Sequence, residues 1–278
     1  MRTVAVLSGK GGAGKTFVAV NLAAAAGRAT YIDCDVEEPN GRLFWKPENV
    51  EAAAVTTLLP AFDASRCTGC RKCVSFCRFH ALLYIREKPM VFPEVCHSCG
   101  GCLLVCPEDA VKEVPKRVGA VETGRHGCVK VVTGVLDPGE ASGVPVIRQA
   151  LRQAEGEGLT VIDCPPGSAC GVMESIAGAD VCVLVAEPTV FGFHNFQMVH
   201  RLAYLLQKPC GVVINKSAEP YAPLLAYCRE KALPVWEEFP YDADLGDLLA
   251  NGQIPAEVSP GYQERFAALL ERMGGGRL

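Results

Sequence analysis

The chain has 278 residues, of which 49% are hydrophobic and 21% charged, and its formal net charge is −4. This composition is typical of a globular protein with ample material for a core, and it gives no indication of a nucleic-acid partner. There is no apolar run of about 18 residues that could cross a membrane. The first residues also lack the apolar region and cleavage site of a secretory signal, so we expect a cytoplasmic protein.

Short apolar segments alternate with helical patterns along most of the chain. The predicted strands are 3–7, 30–33, 161–163, 181–186 and 211–215. The predicted helices are 17–26, 149–157 and 262–273. Strands that are continuously apolar and separated by helices predict an α/β fold, with a parallel sheet covered on both faces.

A glycine-rich loop follows the first predicted strand. Residues 9–16 read GKGGAGKT, which fits the pattern G-x-x-x-x-G-K-[ST] between a strand and a helix. Backbone N–H groups of such a loop hold phosphate oxygens, while Lys15 contacts the β and γ phosphates and Thr16 reaches Mg²⁺. The candidate phosphate-binding residues are Gly9, Gly11, Gly12, Ala13, Gly14, Lys15 and Thr16. The alternative, a glycine-rich turn with no ligand, does not account for the complete pattern.

Two aspartate segments end predicted strands. They are DCD at 33–35 and DCPPG at 163–167. Carboxylates at strand ends beside a phosphate site suit phosphoryl transfer, which depends on positioning and charge neutralisation. Helix caps and turns are the ordinary alternative for such aspartates.

The loop, with its early Lys10, resembles that of the MinD/Mrp/nitrogenase-iron-protein group of ATPases. This resemblance implies that Lys10 reaches the partner's nucleotide in a homodimer and that ATP is hydrolysed. The segments at 33–35 and 163–167 match the family's first and second switch. The resemblance implies that Asp35 helps to place Mg²⁺ and the attacking water, and that Asp163 holds a magnesium-bound water. Asn215, after the strand GVVIN, resembles the base-recognition residue, although Asn-Lys is also a common turn. Phe17 departs from the family, which usually has threonine there.

The pattern changes between residues 49 and 115, where prolines and cysteines cluster. The sequences CTGCRKCVSFC (67–77) and CHSCGGCLLVC (96–106) repeat the spacing C-x₂-C-x₂-C-x₃-C. In two-cluster ferredoxins the fourth cysteine of each run belongs to the other cluster. The spacing therefore predicts two [4Fe–4S] clusters. The first set is Cys67, Cys70, Cys73 and Cys106, and the second set is Cys96, Cys99, Cys102 and Cys77.

Zinc is the competing interpretation of these cysteines. Zinc ribbons use C-x₂-C pairs separated by longer stretches, so three cysteines at consecutive x₂ spacings favour iron–sulfur clusters. We expect an inserted α+β ferredoxin-like domain over 51–114, within an ATPase domain formed by 1–50 and 115–278. Loss of the clusters is expected to unfold the insert.

Nearly the whole chain, including CRFHA, CHSCGGC, GVPVIR and EPTVFGFHN, resembles MinD-type ATPases that carry an inserted bacterial two-cluster ferredoxin. The resemblance implies a slow, partner-stimulated Mg-dependent ATPase that couples dimer and switch changes to electron transfer. The partner is expected to be a redox or metallocofactor-assembly protein. Two alternatives remain: an ATP-dependent iron–sulfur or metallocofactor assembly factor, and a redox-sensing localisation switch of the MinD type.

Two further features bear on these alternatives. Cys170 follows Asp163 by seven residues, at the place where the nitrogenase iron protein has a cluster ligand, so it either binds metal at a dimer axis or packs beneath the second switch. The last predicted helix has Phe266, Leu269 and Leu270 on one face and balanced charges on the other. This pattern predicts a packed terminal helix and no stable membrane association.

Overall fold

The computed structural model describes residues 2–154 and 158–274. Eleven strands lie in this part of the chain: β1 Arg2–Leu7, β2 Ala29–Asp33, β3 Glu48–Phe62, β4 Leu82–Ile85, β5 Lys88–Val91, β6 Val111–His126, β7 Val129–Leu136, β8 Leu159–Asp163, β9 Val181–Ala186, β10 Cys210–Ser217 and β11 Val235–Pro240. Eleven helices lie in the same part: α1 Lys15–Ala25, α2 Gly41–Trp45, α3 Lys72–Phe76, α4 Gly101–Leu104, α5 Val144–Leu151, α6 Cys170–Ala177, α7 Val190–Leu205, α8 Ala222–Glu230, α9 Ala243–Ala250, α10 Pro255–Val258 and α11 Pro260–Gly274.

Nine of the strands form one sheet in the order β11-β10-β9-β1-β8-β2-β7-β6-β3. The pairs from β11 to β7 are parallel, whereas β6 pairs antiparallel with both β7 and β3. The parallel α/β fold is confirmed, and all five predicted strands lie within it. The antiparallel edge was not predicted, because β3 and β6 each contain a proline and are exposed over much of their length, so neither segment stands out as a buried strand.

Helices cover both faces of the sheet, and alternate residues of each strand enter different cores. On β1, Val4 and Val6 pack with α1 and α11, whereas Ala5 and Leu7 pack with α5, α6 and α7. The predicted terminal helix is α11, and its Phe266 is fully buried, so its apolar face is packed as expected. Within the described residues, no helix is both long and apolar enough to cross a membrane.

The predicted helix at 149–157 is wrong in its position. The structure has α5 at Val144–Leu151, and residues 155–157 lie outside the described residues. Pro145 is in the first turn of this helix, where its fixed φ and missing N–H are tolerated. The helix therefore begins before the predicted segment and ends at Leu151.

The cysteine-rich segment, residues 63–110, connects β3 to β6. Phe62 pairs with Val111, and the Asp63 backbone N–H donates to the Ala110 carbonyl at 2.8 Å, so the two ends of the segment meet. Inside it, β4 and β5 form a hairpin beside α3 and α4. The bounds predicted for the inserted domain, residues 51 and 114, fall inside β3 and β6. The first half of β3 is exposed, so its sequence lacks the pattern of a buried strand.

Candidate nucleotide site and cysteine cavities

The glycine-rich loop lies between the end of β1 and the start of α1. Gly14 precedes the helix with a φ of 94°, and a Cβ there would lie 2.0 Å from the Asn215 amide nitrogen, so only glycine fits. Asn215 Nδ2 donates to the Ala13 carbonyl at 2.9 Å, and Lys216 Nζ donates to the Gly12 carbonyl at 2.7 Å. These two hydrogen bonds attach the end of β10 to the glycine-rich loop. Base recognition by Asn215 stays a prediction.

Lys15 lies at the centre of a charged cluster on this edge of the sheet. Its Nζ is 2.9 Å from Asp163 Oδ1 and 3.5 Å from Asp35 Oδ2, and only 7% of the lysine side chain is exposed. Burial alone lowers the pKa of Lys15, but the two carboxylates outweigh it, and the net result is a raised pKa. The sequence-predicted Lys15, Asp35 and Asp163 are therefore brought together as one charged group.

Two residues that sequence reasoning did not assign to the site organise this group. Tyr31 donates its hydroxyl to Asp163 Oδ2 at 3.0 Å. Asp33 accepts the backbone N–H of Asp35 at 3.0 Å and that of Gly41 at 2.8 Å. Burial, together with the negative charge of Asp163, raises the pKa of Asp33 to about 8. The sequence signal for both residues was the segment TYID at 30–33, because it contains polar side chains although it is a predicted strand.

Lys10 contacts residues of its own chain. Its Nζ lies 2.8 Å from Glu187 Oε2 and 5.8 Å from the centre of the Phe191 ring. Glu187 follows β9 directly, a position that the sequence pattern did not single out. Within the chain, the ion pair with Glu187 holds the Lys10 side chain in place. The role of Lys10 across a dimer interface stays a prediction.

A cavity of about 810 Å³ lies over the loop. Of the residues predicted for phosphate and base, those that line it are Lys10, Gly11, Gly12, Gly14, Lys15, Thr16, Asp35 and Asn215. Ala13 and Asp163 are buried beneath them. A Cβ on Gly9 would lie 2.2 Å from the Asn195 carbonyl oxygen, so close backbone packing explains that glycine. Cys170, exposed at the start of α6, lines the same cavity.

The eight repeat cysteines surround two further cavities in the cysteine-rich segment. The larger, about 270 Å³, is lined by Cys77, Cys96, Cys99 and Cys102. The smaller, about 20 Å³, is lined by Cys67, Cys70, Cys73 and Cys106. The last cysteine of each run therefore joins the first three cysteines of the other run. The Ala110 backbone N–H donates to Cys106 Sγ at 3.3 Å, as backbone groups do at thiolate ligands.

Four thiols around one cavity are the donor set that an iron–sulfur cluster uses. Among residues 2–154 and 158–274, no three His, Cys, Asp or Glu side chains approach closely enough to hold a single metal ion. A cluster of four irons and four sulfides is larger than a single ion, and its ligands stand correspondingly farther apart. The two cysteine sets thus fit the larger group in ligand type and number.

The remaining cysteines are mostly structural. Cys34, Cys164 and Cys182 are fully buried in the core, where cysteine behaves as a small hydrophobe. Burial, with a smaller effect of neighbouring Cys210, raises the pKa of the Cys182 thiol to about 12, so it stays protonated. Cys128 is exposed at the turn between β6 and β7, away from both cysteine sets.

The chain is similar to several known proteins. "Uncharacterized protein MJ0578" of Methanocaldococcus jannaschii is 24% identical over 275 residues, which cover 97% of this chain and 95% of the relative. The structure of the septum site-determining protein MinD with Mg-ADP from Pyrococcus horikoshii superposes with a TM-score of 0.61 at 16% identity, covering 98% and 95% of the two chains. An ATP complex of a Cyanothece McdA variant has a TM-score of 0.57 at 16% identity, covering 100% and 98%.

The two structural neighbours share the fold of this protein. The family model of the CobQ/CobB/MinD/ParA nucleotide-binding domain matches residues 4–256, which is most of the chain. The glycine-rich loop of this chain, Asp35, Asp163 and nearly all of the parallel sheet lie within that range. The chain belongs to the CobQ/CobB/MinD/ParA nucleotide-binding family.

Proposed function

We propose that this protein is an ATP-driven iron–sulfur protein, in which nucleotide binding and slow hydrolysis control electron transfer through two [4Fe–4S] clusters. The observation that carries the proposal is the crossed grouping of the eight cysteines around two cavities, in a chain that also has a nucleotide cavity. A simple nucleotide switch has no use for two such cysteine sets.

The nucleotide chemistry follows from the charged cluster. Lys15 is held by Asp163 and Asp35, and the phosphates of MgATP would compete with these carboxylates for its Nζ. Thr16 lines the cavity and would supply a hydroxyl to Mg²⁺. Asp35 is freed for the metal-bound water when Lys15 turns to phosphate. Structural neighbours bound to Mg-ADP and to ATP support this choice of ligand.

The cysteine sets would hold the clusters, which accept and release single electrons when bound. Cys67, Cys70, Cys73 and Cys106 hold one cluster, and Cys77, Cys96, Cys99 and Cys102 hold the other. Gly100 lets the chain turn with a φ of 69° between Cys99 and Cys102. The exposed Cys70 and Cys99 bring the edge of each set to the surface, within reach of a partner protein.

The sheet connects the two parts of the chain. β2 ends at Asp33 in the charged cluster, and the chain then passes through α2 into β3, which leads to the cysteines. We propose a cytoplasmic homodimer in which Lys10 leaves Glu187 for the partner's nucleotide. A redox protein then exchanges electrons with the clusters, and its docking stimulates ATP hydrolysis.

Paired cysteine substitutions test the proposal on the full chain. Anaerobically prepared wild type and Cys128→Ser should hold about eight irons, the number for two [4Fe–4S] clusters. Cys77→Ser with Cys96→Ser removes two ligands of one set and should leave about four irons. Cys77→Ser with Cys67→Ser removes one ligand from each set and should leave almost none. Equal iron in the two double variants would contradict the crossed assignment.

The same preparations show whether nucleotide controls the clusters. We expect the midpoint potential of at least one cluster, followed by electron paramagnetic resonance, to shift by about 59 mV between MgADP and MgATP, which corresponds to tenfold coupling for a one-electron couple. A Lys15→Ala variant should lose this shift. Unchanged potentials in an iron-loaded wild type would overturn nucleotide control and favour a role in cluster assembly.

A further inference from the structure

The second cysteine set and the nucleotide cavity have a common wall. His97 lies between Cys96 and Cys99 and lines the cavity of the second set. The same residue also lines the nucleotide cavity, together with Lys10, Lys15 and Asp35. The cavity of the first set has no residue in common with the nucleotide cavity. The two cysteine sets are therefore not equivalent with respect to nucleotide.

The ring of His97 stacks on that of Phe79. The two ring centres lie 4.0 Å apart, with 19° between the planes. Phe79 itself lines the cavity of the second set. A change in the nucleotide cavity that moves His97 would therefore also move the loop that carries Cys96 and Cys99.

A second contact ties the same loop to the nucleotide cavity. Lys116 on β6 lies 2.8 Å from Glu140 Oε1, and its Nζ also donates to the Pro93 carbonyl at 3.4 Å. Pro93 is three residues before Cys96, and the residues that follow Glu140, Ala141–Val144, line the nucleotide cavity. Both Lys116 and Glu140 are largely buried, so this bridge is better protected from solvent than a surface ion pair.

We infer that His97, supported by the Lys116 bridge, transmits nucleotide occupancy to the second cysteine set and leaves the first set unaffected. His97 is a positioning residue, since it acts through the loop of Cys96 and Cys99 and not on the phosphates. The inference rests on the proposed function for what the two cavities bind. It goes further by assigning the coupling to one cluster and one side chain.

The test compares His97→Ala with His97→Phe, which retains a planar ring for stacking on Phe79. The control is His80→Asn, because His80 lines neither cavity and its φ of 53° is one that asparagine tolerates. In wild type and control, MgATP should shift the spectrum and potential of the second cluster alone. His97→Ala should lose the shift, and His97→Phe should keep most of it.

The Lys116 bridge is tested in the same way. Lys116→Gln removes the charge that joins Pro93 to Glu140, and Arg117→Gln, on the same strand, changes an exposed ion pair as the control. We expect Lys116→Gln to weaken the nucleotide-dependent shift and Arg117→Gln to leave it at the wild-type value. Loss of the shift in both variants would indicate a general effect of β6 and overturn the assignment to the bridge.

A measurement that does not read the clusters themselves separates this inference from the proposed function. In the full-length protein as prepared anaerobically, we expect MgATP to change the rate at which the backbone amide of Cys99 exchanges with deuterium, as followed by peptide mass spectrometry, while that of Cys70 is unaffected. His97→Ala should abolish the change at Cys99. If MgATP alters both cysteines equally, or neither, the inference fails even where the iron measurements support the proposed function.

Discussion

At the scale of single residues, position 17 shows how the fold accounts for a departure from the family pattern. Phe17 is 4% exposed, and its ring packs edge-on against Phe239 at 5.2 Å and Phe266 at 5.5 Å, measured between ring centres. The aromatic cluster joins α1 to β11 and α11. A threonine here would add a hydroxyl near the nucleotide cavity, but it could not hold these elements together.

Phe17→Thr should therefore destabilise the protein. Truncating a buried phenylalanine costs about 3–5 kcal/mol of unfolding free energy, through lost burial and the cavity left behind. We expect a loss in that range, measured by urea denaturation without nucleotide. Phe191→Thr is the matched control, because 65% of that residue is exposed, and its effect should stay within about 0.5 kcal/mol. A similar small effect for Phe17→Thr would contradict the packing role.

At the scale of elements, a buried histidine joins helices α7 and α8. The Nδ1 atom of His200 lies 2.8 Å from the Tyr227 hydroxyl, and the two rings meet edge to face. Burial lowers the pKa of His200, and the positive charge of Lys231 lowers it further. The neutral imidazole is therefore the form that the packed helices hold.

The stability of this contact should depend on pH. Because the pKa of His200 is lower in the folded chain than its ordinary value of about 6.5, the unfolded chain binds more protons in that window, and unfolding free energy falls as pH drops below about 6.5. We expect wild type to exceed His200→Asn in stability by more at about pH 7.5 than at about pH 5. An equal difference between the two proteins at both pH values would contradict this role of His200.

At the scale of the whole molecule, the cysteine-rich segment extends from one edge of the nucleotide sheet. The strands that carry it, β3 and β6, are the last two strands of the sheet, and they stay paired as far as Phe62 and Val111. The ends of β3 and β6 lie side by side, as in a hairpin, so the pairing of the two strands is complete before the first cysteine. This geometry explains how the cysteine-rich segment lies outside the sheet without interrupting the β3–β6 pairing.

Replacing residues 64–109 by Asn-Gly should leave a folded nucleotide-binding protein. A two-residue turn of this type joins antiparallel strands without distortion, and the Asp63–Ala110 hydrogen bond already sets the register. We expect a cooperative thermal transition and an affinity for fluorescent ATP within about tenfold of wild type, or about 1.4 kcal/mol. The same deletion with Lys15→Ala should not bind. An insoluble product would mean that the segment belongs to the core of the sheet.

Much of this protein was determined by the sequence itself. The glycine loop, the short apolar strands and the two cysteine runs are local patterns, since each depends on residues adjacent in the chain. Lys15, Asp35 and Asp163 were therefore identifiable, and parallel strand ends brought them together as expected. The spacing also predicted the crossed grouping of the cysteines. The structure places each set around its own cavity, and the clusters themselves stay a prediction.

Other features were decided only by the tertiary structure. The antiparallel edge of the sheet depends on pairing between β3 and β6, whose charged and partly exposed sequences carry little periodic signal. Tyr31 and Glu187 belong to the site because of the strand order, which places Tyr31 beside Asp163 and Glu187 beside Lys10. His97 lines the nucleotide cavity because the fold places the cysteine-rich segment, which is held between the paired strands β3 and β6, next to that cavity. Contacts between residues far apart in the chain depend on how the elements pack, and no local pattern encodes that packing.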